Sequence, residues 1–126
     1  MKKCFYTQKG PKAIGPYATA CTAGDTVYVS GMLGVNPETG ELAGDVASQA
    51  RQSLDNLAAV AEEMGLTLAM TVKTTVFLTN LNDFAVVNGI YQEYFGPDYP
   101  ARSCVQVAAL PMGGLVEIEA VALVEA

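Results

Sequence analysis

One stretch of this sequence leaves its fold little freedom. Between Asp45 and Gly65, the residues Val46, Ala50, Leu54, Leu57, Ala61 and Met64 recur at steps of four and three. That spacing is one apolar face of a helix. Asp45 stands where an N-cap is needed, and Gly65 stands where a left-handed residue closes a helix. A helix with one apolar face must lay it on a second layer, and the flanking sequence offers strands. Val72 to Leu78 is a β-branched run. Ala18 to Ala23, Gly24-Asp25 and Thr26 to Ser30 read as a hairpin with a tight polar turn. Cys4 to Thr7 reads as a short strand, and Arg102 to Val107 and Leu115 to Val124 as two more, around a loop holding Pro111, Gly113 and Gly114. Asn82-Asp83 caps a second helix whose Phe84, Val87, Tyr91 and Tyr94 share a face, and Gly96-Pro97 ends it. Gly10 to Tyr17 and Val35 to Gly44 carry the Gly and Pro of loops. The order predicts one α+β domain over residues 1–126, a mixed β-sheet with two helices packed on one face.

Composition adds an expectation about assembly. The chain is 51% hydrophobic and 16% charged, against roughly 45–50% and 25% for an average soluble domain. A chain of 126 residues has much surface for its volume, so the apolar surplus predicts a subunit interface. The net charge of −6 argues against a nucleic-acid partner. Four of the seven basic residues, Lys2, Lys3, Lys9 and Lys12, form a solvated end with no aromatic platform beside them. No apolar run is long enough for a membrane span. Met-Lys-Lys is followed by no apolar stretch of a secretory leader, and the three cysteines fall at no metal-like spacing. The expectation is a cytoplasmic protein with reduced thiols, no metal and no cofactor.

Histidine is absent from the sequence. This removes the Ser-His-Asp and Cys-His designs and any zinc site that needs His. Acid–base chemistry then falls to carboxyls, Lys, Tyr, Cys or water. The chain has two arginines. Arg51 lies mid-helix, four residues before Asp55, and reads as one side of a surface ion pair. Arg102 opens an apolar strand, and the residues alone leave it open between a surface arginine and a clamp for a carboxylate. Glu117 and Glu119 alternate onto one strand face. They read either as a wet face or as a partly buried carboxyl suited to proton transfer. Cys104 shares a strand face with Arg102 and reads as a small buried residue. Ser30-Gly31-Met32-Leu33-Gly34 lacks the spacing and Lys of a phosphate loop; glycine there suits close approach of backbone to a ligand.

Several segments occur together and in order: Ala13-Ile-Gly-Pro-Tyr17, Val29-Ser-Gly31, Gln49-Ala-Arg-Gln-Ser-Leu-Asp-Asn-Leu57, Val72 to Leu78, Asn82-Asp-Phe84, Pro100-Ala-Arg-Ser-Cys-Val105 and Val116-Glu-Ile-Glu119. Together they resemble the Rid (YjgF-type) family, and within it the RidA reactive-intermediate deaminases. The resemblance implies a chorismate-mutase-like α+β fold and a homotrimer with clefts between subunits. It implies hydrolysis of 2-aminoacrylate and related enamines and imines to 2-keto acids and ammonia. It assigns Arg102 to the substrate carboxylate and Glu117 to the water. Backbone at Gly31 and Cys104 would touch the substrate, Tyr17 and Ser30 would line the cleft, and Phe84 and Asn88 would arrive from the neighbouring subunit. Met32 stands where the family often has Gln, and Ala109 and Met112 where it often has Arg and Lys. These changes are expected at the cleft mouth or the trimer axis. The competing readings are an endoribonuclease, disfavoured by the acidic charge, and a carboxylate-binding or chaperone-like trimer without catalysis.

Overall fold

The computed structural model describes residues 1–124. Its eight long elements are β1 (Lys2–Phe5), β2 (Ala20–Ala23), β3 (Thr26–Leu33), α1 (Val46–Glu63), β4 (Thr71–Leu78), α2 (Phe84–Phe95), β5 (Ala101–Gln106) and β6 (Val116–Leu123). The strands form one sheet in the order β1-β2-β3-β6-β4-β5. All neighbours are antiparallel except β4 and β5. The parallel pair is possible because α2 carries the chain back between them. The predicted α+β layers, a mixed sheet with two helices, are therefore present.

The local signals act as read. Asp45 accepts the Ser48 N–H at 2.7 Å and caps α1. At the other end Leu66 N donates to Ala61 O and Gly65 N to Glu62 O, with Gly65 at φ 76. That is a Schellman closure. In the β2–β3 hairpin Gly24 has φ 60 at the first turn position, as a II′ turn requires.

Strand alternation sorts the sheet into two faces. Val116, Ile118, Ala120 and Ala122 of β6 and Thr74, Val76 and Leu78 of β4 are buried. They meet Ala50, Leu54, Leu57 and Val60 of α1 and Val87, Ile90, Tyr91 and Phe95 of α2 in the core. The opposite face carries Glu117, Glu119, Val121 and Leu123 of β6, Phe77 of β4, Val105 of β5 and Tyr28 of β3. No element of the described residues covers it; Tyr28 is 54% and Leu123 45% exposed.

Four local readings need correction. β1 begins at Lys2 and ends at Phe5, because Thr7 leaves the ladder to bond Glu63. β3 runs on to Leu33, so Gly31 lies inside a strand. The buried stripe of α2 is Val87, Ile90, Tyr91 and Phe95; Phe84 is 42% exposed and Tyr94 turns to Asp55. Arg51 pairs across to Glu93 of α2 at 3.3 Å instead of with Asp55. In the last two cases a side chain from the other helix offers a partner that spacing within one helix cannot show.

α1 passes so close to the end of β3 that a Cβ on Gly34 would meet the Gln49 backbone at 2.4 Å. Gly34→Ala is expected to destabilise the fold by about 3 kcal/mol or more, the upper range of overpacking. Gly44 has open space and an ordinary φ, so Gly44→Ala should be neutral or slightly stabilising. Urea midpoints of both variants at one protein concentration check the contrast.

Candidate active site

Between β3, β6 and two loops lies an open cleft of about 660 Å³. Glu117, Gly31, Ser30 and Tyr17 line it, with Pro11 to Ile14, Asn36 to Gly40 and Met112 around the mouth. Its floor is shaped by a β-bulge. Between the pairs Val29–Ala120 and Met32–Ile118, β3 has one residue more than β6. A bulge turns the extra backbone out of the ladder, here at Ser30 and Gly31. A Cβ on Gly31 would lie 2.8 Å from the Glu117 carboxyl carbon. Glycine lets this backbone lie against that carboxylate; a side chain here would push the Glu117 carboxyl out of its present position. Ser30 spends its hydroxyl on the Ala18 carbonyl at 2.8 Å, and the Tyr17 hydroxyl accepts the Ile14 N–H. Both brace the loop that walls the cleft.

Glu117 is half-buried on the open sheet face. Burial first, and the Glu119 carboxylate beside it second, push its carboxyl above its ordinary pKa. A carboxyl so placed holds and releases protons nearer neutrality than a free one.

Arg102 lies on the other face. It pairs with Thr74 on β4, whose side chain points to the helices. Its Nη1 donates to Asn88 Oδ1 at 2.7 Å. Its Cζ lies 4.9 Å from the Tyr91 ring centre and 5.5 Å from that of Phe84. These rings hold the guanidinium by cation–π contact. Among the described residues Arg51–Glu93 is an ion pair, and Arg102 has no carboxylate partner. A half-buried arginine with free donors and no counter-charge is prepared for an anion. Cys104, two residues along the same face, packs against the core. Burial pushes its thiol up, opposed by the Arg102 charge, so it is no ready nucleophile.

The eight residues singled out in the sequence thus fall into two groups. Tyr17, Ser30, Gly31 and Glu117 share the cleft. Arg102, Phe84, Asn88 and Cys104 gather on the helix side of β5. Phe84 and Asn88 belong with Arg102 of their own chain, so any contact that brings them to Glu117 brings Arg102 as well. Met32 is one of the residues lining the cleft, but its side chain is 4% exposed and packs in the helix-side core. Met112, with φ 60, does reach the mouth, while Ala109 is exposed outside it. Sequence reasoning missed the role of Tyr91, which it read as core. Its signal was a hydroxyl among apolar neighbours, now bonded to Thr74 at 2.6 Å while the ring carries Arg102.

The sequence profile of the endoribonuclease L-PSP family matches residues 7–124. The chain belongs to this family, the Rid (YjgF-type) proteins. A RutC family protein of Haemophilus influenzae is 51% identical over 98% of both chains. The 2-iminobutanoate/2-iminopropanoate deaminase of Escherichia coli is 50% identical over 98% of both. Among solved Rid structures, TdcF of Escherichia coli with bound serine superposes with a TM-score of 0.93 at 46% identity, covering 98% of this chain and 99% of that one. RidA of an Antarctic Psychrobacter species gives 0.94 at 46% identity, covering 97% and 99%. The Rid membership accounts for the segments that the sequence places in order. Among the described residues no helix is long and apolar enough to cross a membrane, and no three metal-ligating side chains converge.

Proposed function

We propose that this chain hydrolyses 2-imino and 2-enamino acids, such as 2-aminoacrylate, to 2-keto acids and ammonia. The observation that carries the reading is the pair of prepared groups: Arg102, braced and without a counter-charge, and Glu117, half-buried with a raised pKa. The deaminase name of the Escherichia coli relative supports it. Arg102 would grip the substrate carboxylate with two parallel hydrogen bonds. The carbon–nitrogen double bond beside that carboxylate is electrophilic once protonated. Glu117 would take a proton from water as its oxygen bonds to carbon, forming a carbinolamine. Returned to nitrogen, the proton makes ammonia the leaving group, and Glu117, again a carboxylate, takes the hydroxyl proton as the carbonyl forms. Gly31 leaves room for that water and substrate beside the carboxylate. Of the family's other readings, RNA cleavage finds no support in a chain of net charge −6. The experiment generates 2-aminoacrylate in situ and compares pyruvate release with and without the protein.

Arg102 and Glu117 project from opposite faces of one sheet, so joint action calls for two copies of the chain. The open face supplies the apolar surface for that contact in Tyr28, Phe77, Val105, Val121 and Leu123. With the family resemblance, this supports a homotrimer, with each cleft completed by a neighbour's Arg102, Phe84, Asn88 and Cys104, and the free thiols of Cys4, Cys21 and Cys104 suit a reducing cytoplasm. Light scattering at micromolar concentration is expected to give three times the 13.2 kDa chain mass. A monomer that is nonetheless fully active would overturn the shared site.

A further inference from the structure

α1 carries a row of side chains that its apolar face does not need. Gln49, Ser53 and Asn56 are 3%, 0% and 1% exposed. Their spacing puts them on one stripe of the helix, beside Ala50, Leu54 and Leu57. Burying three polar side chains is unfavourable unless each finds a partner, and each does. Ser53 Oγ donates to the Met32 carbonyl at 2.7 Å. Asn56 Nδ2 donates to the Leu33 and Val35 carbonyls at 3.2 and 2.8 Å. Gln49 Nε2 donates to the Ala43 carbonyl at 2.9 Å, and its Oε1 accepts the Leu115 N–H at 2.8 Å. Gln52 Nε2 holds the Asn56 amide oxygen in turn at 2.8 Å.

The partners are not scattered. Met32, Leu33 and Val35 follow directly on the bulge that sets Gly31 against Glu117. Leu115 lies two residues before Glu117 on the other side of the same contact. Ala43 closes the loop after β3, where its N–H also bonds Gly34 O. Gly34 makes the reach possible: without a Cβ it lets α1 come close enough for short side chains to touch strand carbonyls.

We infer that Gln49, Ser53 and Asn56 are positioning residues for the reaction, holding the bulge and the start of β6 from behind so that Gly31 and Glu117 stay in register. The inference rests on the deaminase reading for its chemistry, though not for its geometry. A bulge is a local departure that the ladder alone does not fix, since the displaced residues lose regular pairing. Side-chain hydrogen bonds from a rigid helix supply the missing constraint. A catalytic carboxyl needs that support, because a misplacement near 1 Å can cost roughly a hundredfold in rate.

The test uses Ser53→Ala, which removes one hydroxyl and leaves the packing volume nearly intact. Leu54→Val on the same helix serves as control: it loosens the core but touches no carbonyl of the 32–35 segment. Both are compared with the unmodified protein in imine hydrolysis, keto-acid affinity, thermal stability and the NMR titration of the Glu117 carboxyl carbon. Glu119 on β6 and Lys12 and Glu38 on the cleft loops are unchanged in all three, so a moved midpoint reports the bulge. Ser53→Ala is expected to lower kcat about tenfold or more, with keto-acid affinity kept and the Glu117 midpoint moved. Leu54→Val should lose thermal stability with kcat and midpoint unchanged. Should Ser53→Ala fail to fold, Ser53→Cys, with a weak donor of similar size, gives the same comparison. If kcat falls no further than in the control and the midpoint stays, the row is packing alone and the inference is wrong. If the midpoint moves but the unmodified protein hydrolyses no imine, the positioning stands and the deaminase reading fails.

Discussion

Arg102→Ala is expected to abolish measurable binding of 2-keto acids together with imine hydrolysis. A charge-assisted hydrogen bond contributes about 1.5–3 kcal/mol. Losing two removes about 3 kcal/mol or more, a factor of a hundred or more in affinity. The fold should survive, since Arg102 makes one side-chain hydrogen bond, to Asn88, in a partly exposed position. Asn88 Oδ1 can turn to water, and Tyr91 keeps its bond to Thr74. Arg102→Lys should recover only part of the affinity, because an ammonium lacks the planar fork and stacks less well on Phe84 and Tyr91. Calorimetry with a keto acid, alongside light scattering to confirm assembly, checks both variants. Undiminished binding by Arg102→Ala would move the carboxylate site elsewhere.

Glu117→Gln should fail in the opposite way. The amide keeps the shape of the carboxyl but cannot take a proton, so turnover is expected to fall by about a hundredfold or more. Keto-acid binding should be kept or improved, because a negative charge beside the ligand's carboxylate is gone. This separates an enzyme from a carboxylate-binding trimer, for which Glu117 would be dispensable. The raised pKa sets two pH expectations. Activity should fall as pH drops through that pKa, so its acid limb lies above the range of an ordinary glutamate. Stability runs the other way. A group whose folded pKa is raised binds its proton more tightly in the native state, so the fold loses stability as pH rises between the unfolded and folded values. At neutral pH Glu117→Gln should therefore unfold at a higher urea concentration than the unmodified protein. An unchanged rate in Glu117→Gln would make the carboxylate structural and leave the water to the substrate or backbone.

Much of the fold was legible because its signals are local. The Asp45 cap, the Gly65 closure, the Gly24 turn and the apolar face of α1 depend on neighbours a few residues away, and each acts as its spacing implies. So do the alternation that sends Glu117 and Ile118 to opposite faces and the aliphatic runs of β4 and β6. Pro100-Ala-Arg-Ser and Val-Glu-Ile marked Arg102 and Glu117, but through resemblance to a family and not through any pattern that chemistry alone singles out. What the chain order could not reveal was partnership across the fold. Arg51 bonds Glu93 and not Asp55, Tyr94 bonds Asp55, and Tyr91 carries Arg102, because α1, α2 and β5 meet only once the sheet has formed. The bulge at Ser30 and Gly31 exists only against β6, nearly ninety residues away in the chain, since a bulge is a mismatch between two strands. The same holds for the division of the site. Alternation along one strand places a side chain up or down, but which face faces the helices is set by the whole sheet, and that choice put Arg102 and Glu117 on opposite sides.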